Sequence, residues 1–304
     1  MSKGVHRFAL LVAGATFFLI IAGANVTSHD AGLATSDWPL SNGQFFPKMV
    51  GNLFWEHGHR LVATTVGILT IVLAVYLQVR ERRAWVKRLG WIALGGVIAQ
   101  GLLGGLTVKL NLPLAVSAAH ATLAQLFFLT TVSLAVFTSH GWIEPPAQVR
   151  TEGTGVSLRT LCVVALVAIL IQLVLGATLR HSATWDQPLP AGLLLSHIAG
   201  AIVVTVVLGA TVVTVLTRYR AENYLKRPAL IAAGLLFVQL VLGVTAYLVR
   251  ASSPNDPQPL NPMISVTVAH VACGALVFAA TIVLTLRAFR ILRVERQAYA
   301  LATA

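Results

Sequence analysis

Acidic residues are scarce in this chain, 10 Asp and Glu among 304 residues, and charged residues of both signs make up only 11%. A soluble globular domain carries about 25% charged residues. A chain this poor in charge cannot clothe itself for water, and its 57% apolar residues are gathered in long runs, so the bilayer is its expected solvent. The formal net charge of +12 does not mark a nucleic-acid binder. Lys and Arg sit in short segments between apolar runs, where they act as topology signals. Cysteine is almost absent: Cys162 and Cys273 both fall inside apolar runs, toward opposite sides of the membrane in the topology below. A disulfide between them is not expected, and no Cys-x-x-Cys motif suggests a metal or redox centre.

Eight apolar runs remain: Phe8–Val26, Glu56–Val79, Val86–Leu106, Ser117–Thr138, Leu158–Leu179, Leu193–Leu216, Pro228–Leu248 and Ser265–Leu286. Each is close to the ~20 residues that cross the hydrocarbon core. None shows the alternation of a barrel strand, so all eight are read as helices. The first run also has features of a cleaved signal peptide, with basic residues in front and Ala22-Gly23-Ala24 as a possible cleavage site, but the repeat described below gives it a structural role. Of the 22 Lys and Arg, only Lys48, Arg60, Lys109, Arg180 and Arg250 lie on one side of the spans. The positive-inside rule then puts both termini in the cytoplasm. All the aspartates (Asp30, Asp37, Asp186, Asp256) fall in the outer loops.

A helical hairpin recurs four times. The third, fifth and seventh runs end in Gln-Gly-Leu-Leu-Gly-Gly-Leu-Thr from Gln100, Gln-Leu-Val-Leu-Gly-Ala-Thr from Gln172 and Gln-Leu-Val-Leu-Gly-Val-Thr from Gln239. Each is followed by a proline-containing outer loop and then a histidine: His120, His197 or His270. Gly23 in the first run is the candidate fourth glycine, with His59 as its partner. Four residues after each histidine stands a small residue, Ala63, Ala124, Ala201 or Gly274, on the same helix face. A small residue there leaves room for a flat macrocycle or for close helix contact. The inner connection His140–Ser157, with Pro145, Pro146, Gly153 and Gly155, divides the chain. The expected architecture is all-α and integral to the membrane, with two pseudo-symmetric four-helix bundles spanning residues 1–145 and 146–304.

One intramembrane histidine alone reads as an interhelical hydrogen bond. Four at one depth, one per hairpin, read as ligands, because polar side chains in the membrane are costly and usually functional. Two imidazoles from facing helices suit a six-coordinate haem iron, whereas zinc or copper would want three or four converging ligands. Two haems are therefore expected, one on His59 and His120 and one on His197 and His270. The neighbourhoods of His197 and His270 carry no charge and look like a plain bis-histidine site. Around His59 the sequence is Trp-Glu-His-Gly-His-Arg. Glu56 shares a face with His59 and can transfer a proton or stabilise charge there. Arg60 lies about 100° around a helix from His59, where it can meet a propionate. The competing readings are a helix N-terminal acid favoured by the macrodipole for Glu56 and a headgroup contact for Arg60. His57 reads as interfacial and not a ligand. His6, His29, His140 and His181 read as solvated or interfacial, and Cys273 as a packing residue.

The Glu-x-x-His-Arg motif at Glu56–Arg60 and the loop Gly-Leu-Ala-Thr-Ser-Asp-Trp-Pro-Leu-Ser-Asn-Gly-Gln at Gly32–Gln44 resemble the haem A synthase family of cytochrome oxidase assembly, and the resemblance covers nearly the whole chain. It implies oxidation of a methyl group of haem O, through an alcohol and a hydrated aldehyde, to the formyl group of haem A. It also implies substrate haem between His59 and His120, a haem b cofactor between His197 and His270, and a catalytic role for Glu56. Contact with a haem O synthase and an electron donor in a prokaryotic plasma membrane follows, with the haem sites toward the outer side. The chain departs from many bacterial relatives in lacking an outer-loop cysteine pair, both near Thr35 and Ser41 and in the loop at Arg180–Gly192, so a mechanism that needs those thiols cannot operate. The rival readings are a non-enzymatic di-haem b-type cytochrome or haem carrier, and a transporter. The transporter reading lacks a path of intramembrane charges.

Overall fold

The computed structural model describes residues 3–145, 150–152, 156–182, 188–252 and 259–294. Its helices are α1 (Lys3–Ser28), α2 (Asn52–Arg80), α3 (Ala84–Lys109), α4 (Leu114–Phe137), the one-turn α5 (His140–Ile143), α6 (Leu158–His181), α7 (Ala191–Arg218), α8 (Asn223–Ser252) and α9 (Asn261–Ile291). All but α5 are long and apolar enough to cross a membrane. They hold 24 to 31 residues. At about 1.5 Å per residue they outrun the ~30 Å hydrocarbon core, so their ends stand among headgroups. The eight apolar runs fall inside these helices apart from Thr138, the C-cap of α4. Helical structure continues past the runs because the backbone still needs its hydrogen bonds where side chains turn polar.

Proline and capping residues start the helices. Pro113 and Pro190 precede α4 and α7, and Pro262 lies in the first turn of α9, where its missing N–H costs nothing. Ser157 caps α6, its hydroxyl accepting from the Thr160 N–H at 3.2 Å. One feature departs from an all-helical chain among the described residues. Arg150–Glu152 (β1) pairs with Leu292–Val294 (β2) as two short parallel strands. Pro146, Gly153 and Gly155 of the expected linker, like Asp186, Asp256 and Arg296, lie outside the described residues.

Helices α1, α2, α3 and α4 touch in a closed ring, α1 against α2 and α4, α3 against α2 and α4. Helices α6, α7, α8 and α9 do the same. The two rings meet through α4 against α9, flanked by α1 against α9 and α4 against α6. The densest packing lies at the Arg- and Lys-rich end. In the first ring it joins Val5, Val12, Leu73, Leu77, Val86 and Leu134, and in the second Leu158, Leu208, Val215, Leu225, Leu284 and Ile291. At the opposite end, where all four hairpin histidines sit, the helix faces are half-buried; in α7 the buried residues begin only at Val204 and in α8 they stop at Ala232.

Close approach of α2 and α3 depends on Gly90. A Cβ there would lie 2.9 Å from Leu77 Cδ1 and 3.6 Å from the backbone of Ala74. Gly90→Val should force the two helices apart and destabilise the protein by about 1–3 kcal/mol. Thermal unfolding in detergent measures this, and an unchanged Tm would show that the helices separate freely.

Candidate functional site

Each hairpin lays the imidazole of its second helix on a glycine of its first. A Cβ built on Gly23 would meet His59 Cε1 at 3.1 Å, one on Gly104 would meet His120 at 2.9 Å, one on Gly176 His197 at 2.9 Å, and one on Gly243 His270 at 3.0 Å. Any side chain at these glycines would occupy the space of the ring. Gly23 is thus the fourth member of the glycine set, partnered with His59, and the four-hairpin reading holds in three dimensions.

Glutamine carboxamides reach three of the four rings from the turn before the glycine. Gln100 Nε2 lies 3.4 Å from His120 Nε2 and donates to the His120 carbonyl at 3.0 Å. Gln172 Nε2 lies 3.1 Å from His197 Nδ1 and donates to the His197 carbonyl at 2.9 Å. Gln239 Nε2 lies 3.2 Å from His270 Nε2. His59 has no such partner, because Leu19 stands at the equivalent position of α1. The sequence marks these glutamines as repeat residues, but their role toward the rings was not read from it.

The residues fit a haem. His59 Nδ1, His120 Nδ1 and His270 Nδ1 are buried without a hydrogen-bond partner, as ring atoms of a metal ligand would be before the metal is counted. A metal–imidazole bond is about 2.0 Å and the ring centre about 1.2 Å further, so two rings on opposite sides of one iron have centres about 6.4 Å apart. The His197 and His270 centres are 6.4 Å apart, with ring planes at 69°. Among the described residues no group of three or more His, Cys, Asp or Glu is arranged to hold a metal ion, so the donors that the fold assembles there are pairs of imidazoles.

A folded outer loop distinguishes the first ring of helices from the second. Asn42 and Gly43 have φ of 52° and 72°, and Ser41 and Gln44 exchange backbone hydrogen bonds at 3.1 and 3.0 Å. This is the tight turn that an Asn-Gly pair favours. Asp37 closes it, accepting from the Asn42 N–H at 2.9 Å, the Gly43 N–H at 2.7 Å and the Thr35 hydroxyl. The Thr35 hydrogen bond, then that of Gly43, holds the Asp37 carboxyl far below its ordinary value of 3.8. Trp38 lies over α3, where a Cβ on Gly105 would come within 2.6 Å of its indole.

Glu56, Arg60 and His57 tie this loop to α2. Glu56 is buried. One carboxylate oxygen accepts from the Thr35 N–H at 3.0 Å and the other pairs with Arg60. Arg60 Nη1 donates to the carbonyls of Asp37 at 2.9 Å and Leu40 at 2.5 Å and to Ser41 Oγ at 3.1 Å. The ~100° angular offset from His59 therefore turns Arg60 to loop carbonyls and to Glu56, which lies one turn back at i−4. His57 is covered by the loop rather than open to water. It is buried, with Nε2 3.1 Å from the Phe45 carbonyl and Nδ1 2.8 Å from Ser41 Oγ. A carbonyl only accepts, so Nε2 carries the proton and Nδ1 accepts from Ser41. Both nitrogens are thus used within the protein.

Of the remaining histidines, His6, His29 and His181 are partly buried and His140 is solvated as expected. His6 Nδ1 lies 3.0 Å from the Ala135 carbonyl. His29 bonds the Asn25 carbonyl at 2.9 Å and stacks on Trp55 with centres 3.8 Å apart. His181 is half-buried, and His140 is exposed beside Glu144. Cys162 and Cys273 are buried and not joined in a disulfide. Cys273 packs where α8 and α9 meet and donates to the Leu235 carbonyl at 3.3 Å.

The fold and site define a multi-pass helical membrane protein with four half-buried, glycine-backed histidines, of which His197 and His270 face each other. The family model for cytochrome oxidase assembly protein (COX15-CtaA) matches residues 48–188. Curated proteins named Heme A synthase are similar along the chain. That of Symbiobacterium thermophilum is 28% identical over 261 residues, 79% of this chain and 85% of the relative. That of a Caulobacter species is 33% identical over 141 residues, 42% of this chain and 41% of the relative. That of Bacillus licheniformis is 24% identical over 192 residues, 60% of this chain and 61% of the relative. The alignments thus span less than two thirds of the length of the last two. The chain is thus similar to haem A synthases over much of its length and to the cytochrome oxidase assembly family over residues 48–188.

Two outcomes follow from the loop. Asp37→Asn should loosen residues 29–51, seen as faster backbone hydrogen exchange there and unchanged exchange in α6–α9. Because folding lowers the Asp37 pKa, its contribution is fully present above about pH 4 and is lost only as the pH falls through the lowered value. Loop exchange corrected for its intrinsic pH dependence should therefore be flat from neutral pH to about pH 4 and rise below it. A rise already at pH 6 would assign the loop's order to another group.

Proposed function

We propose that this protein is a haem A synthase, an oxidoreductase that converts the methyl group of haem O to the formyl group of haem A for cytochrome oxidase. The observation that carries this reading is an asymmetry. Both rings of helices offer a pair of glycine-backed histidines, yet among the described residues only the first has a buried carboxylate–guanidinium pair beside it, locked by a folded loop. A passive two-haem cytochrome has no need of that difference.

In this reading His59 and His120 hold haem O as substrate, and His197 and His270 hold haem b. Haem b, when bound, supplies one-electron transfer. Glu56 stands one helical turn before His59 and accepts a proton at a carboxylate oxygen or stabilises positive charge on the substrate. The Thr35 N–H and Arg60 orient that carboxylate. Arg60, already held to the loop, is a charge partner for Glu56 and near enough to the site's outer rim to meet a propionate. The loop from Ala31 to Gly51, pinned by Trp38 on Gly105, shields the carboxylate from water. Where many bacterial relatives carry the outer-loop cysteines, Thr35 and Ser41 serve here as hydrogen-bonding residues of the loop.

The two halves, residues 1–145 and 146–304, are proposed to be pseudo-symmetric. In support, exchanging α1–α4 with α6–α9 maps the helix contacts, those between the rings included, onto themselves. The distribution of Lys and Arg supports cytoplasmic termini and haem sites toward the outer face, and a prokaryotic plasma membrane is the proposed location. A haem O synthase and an electron donor are the proposed partners.

Co-expression with a haem O synthase should yield haem A on chromatography of extracted haems. A folded, haem-loaded protein that makes none would leave the di-haem cytochrome reading in its place. Glu56→Ala should retain haem and lower haem A yield at least tenfold. His270→Ala should lose haem b from the second half, read as about half the haem absorbance per chain.

A further inference from the structure

The four hairpins are alike in glycine and histidine but not in the residue four positions before the glycine. That residue is Gln100, Gln172 or Gln239 in three hairpins and Leu19 in the first. An imidazole that binds iron through one nitrogen carries its proton on the other, and that N–H needs an acceptor to fix the ring's orientation and basicity. A carboxamide supplies one. Gln100 Oε1, Gln172 Oε1 and Gln239 Oε1 are all buried with no hydrogen-bond partner, and each amide nitrogen lies within 3.4 Å of a ring nitrogen of its histidine, so a half-turn of the carboxamide presents its oxygen to a ring N–H once the other nitrogen binds iron. Leu19 offers no polar atom, and no carboxamide among the described residues reaches the His59 ring, whose Nδ1, like those of His120 and His270, is buried without a hydrogen-bond partner.

We propose that Gln100, Gln172 and Gln239 are positioning residues that hold His120, His197 and His270 ready to bind iron, and that Leu19 leaves His59 as the one ligand able to release it. This rests on the di-haem reading above and deepens it. The second half has two held ligands and keeps its haem as a resident. The first half has one held and one unheld ligand, so its haem can enter, shift and leave, as a substrate must. Loss of such an orienting partner weakens metal binding by about 10–100-fold, which sets the expected difference between the two sites.

The test uses the full-length protein loaded with haem in both halves, reduced and exposed to carbon monoxide, with apomyoglobin added separately to capture released haem. In the wild type, carbon monoxide should bind one haem, and that haem should transfer at least tenfold faster than the other. Leu19→Gln should slow both processes at that site at least tenfold. Gln239→Leu should make the second haem reactive to carbon monoxide and shift its midpoint potential, and Gln239→Glu, which restores an acceptor, should reverse both changes. Should a variant fail to fold, the wild-type comparison still decides: equal transfer rates from the two halves overturn the proposal. It is also overturned if Leu19→Gln and Gln239→Leu fold, keep both haems and leave reactivity and potential unchanged. A wild type that takes up no bis-imidazole haem would instead overturn the di-haem reading itself.

Discussion

An imidazole lying on a glycine is the contact on which the rest of this structure depends. Inside a membrane, apolar side chains gain nothing by leaving lipid for one another, so helices associate where their surfaces fit closely and where polar groups find partners. Gly23, Gly104, Gly176 and Gly243 supply the first condition and the four histidines the second. Each contact sets the separation of its two helices at one end of the bundle and fixes which face of the second helix looks inward. The large apolar side chains are left to close the other end, where Leu73, Leu77, Leu208 and Leu284 are almost wholly buried. A bundle tight at one end and lined with small residues and imidazoles at the other can grip a flat, rigid ligand.

The departure from fourfold repetition is electrostatic. Burying the Glu56 carboxylate and the Arg60 guanidinium carries a desolvation cost that one ion pair rarely offsets alone. Here the cost is met by additional hydrogen bonds from Thr35 to Glu56 and from Arg60 to two loop carbonyls and a hydroxyl. The pair and the loop therefore depend on each other: the charges hold the loop's carbonyls and the Thr35 N–H, and the loop completes the hydrogen bonding of the charges. The second half has no corresponding buried acid among the described residues, and both of its histidines contact glutamine. A charged, loop-covered pair and an uncharged, glutamine-held pair suit two different uses of one scaffold.

The spans and the four histidines were legible in the sequence because the bilayer leaves the backbone little choice. A run of about 20 apolar residues must become a helix, and a histidine repeated at one depth must face a partner. The glycine register was legible too, down to Gly23. What hydropathy could not read was the first outer loop. Its Asn42-Gly43 pair signals a tight turn, but nothing local says that the turn brings Ser41 to His57 or the Leu40 carbonyl to Arg60. His57 looked like a surface residue because its position near a helix start is normally wet, and the loop that covers it comes from 12 to 16 residues away.

By itself, then, the sequence determined eight helices, four hairpins and one histidine in each, since these follow from periodicity and from the energetics of burying backbone in lipid. Only the tertiary structure decided which polar atom each of those residues meets: Arg60 a loop carbonyl, His57 a serine, three imidazoles a glutamine and His59 none. Such partners are set by distances between segments far apart in the chain. A hydrogen bond lost over a few tenths of an ångström leaves no trace in composition or spacing.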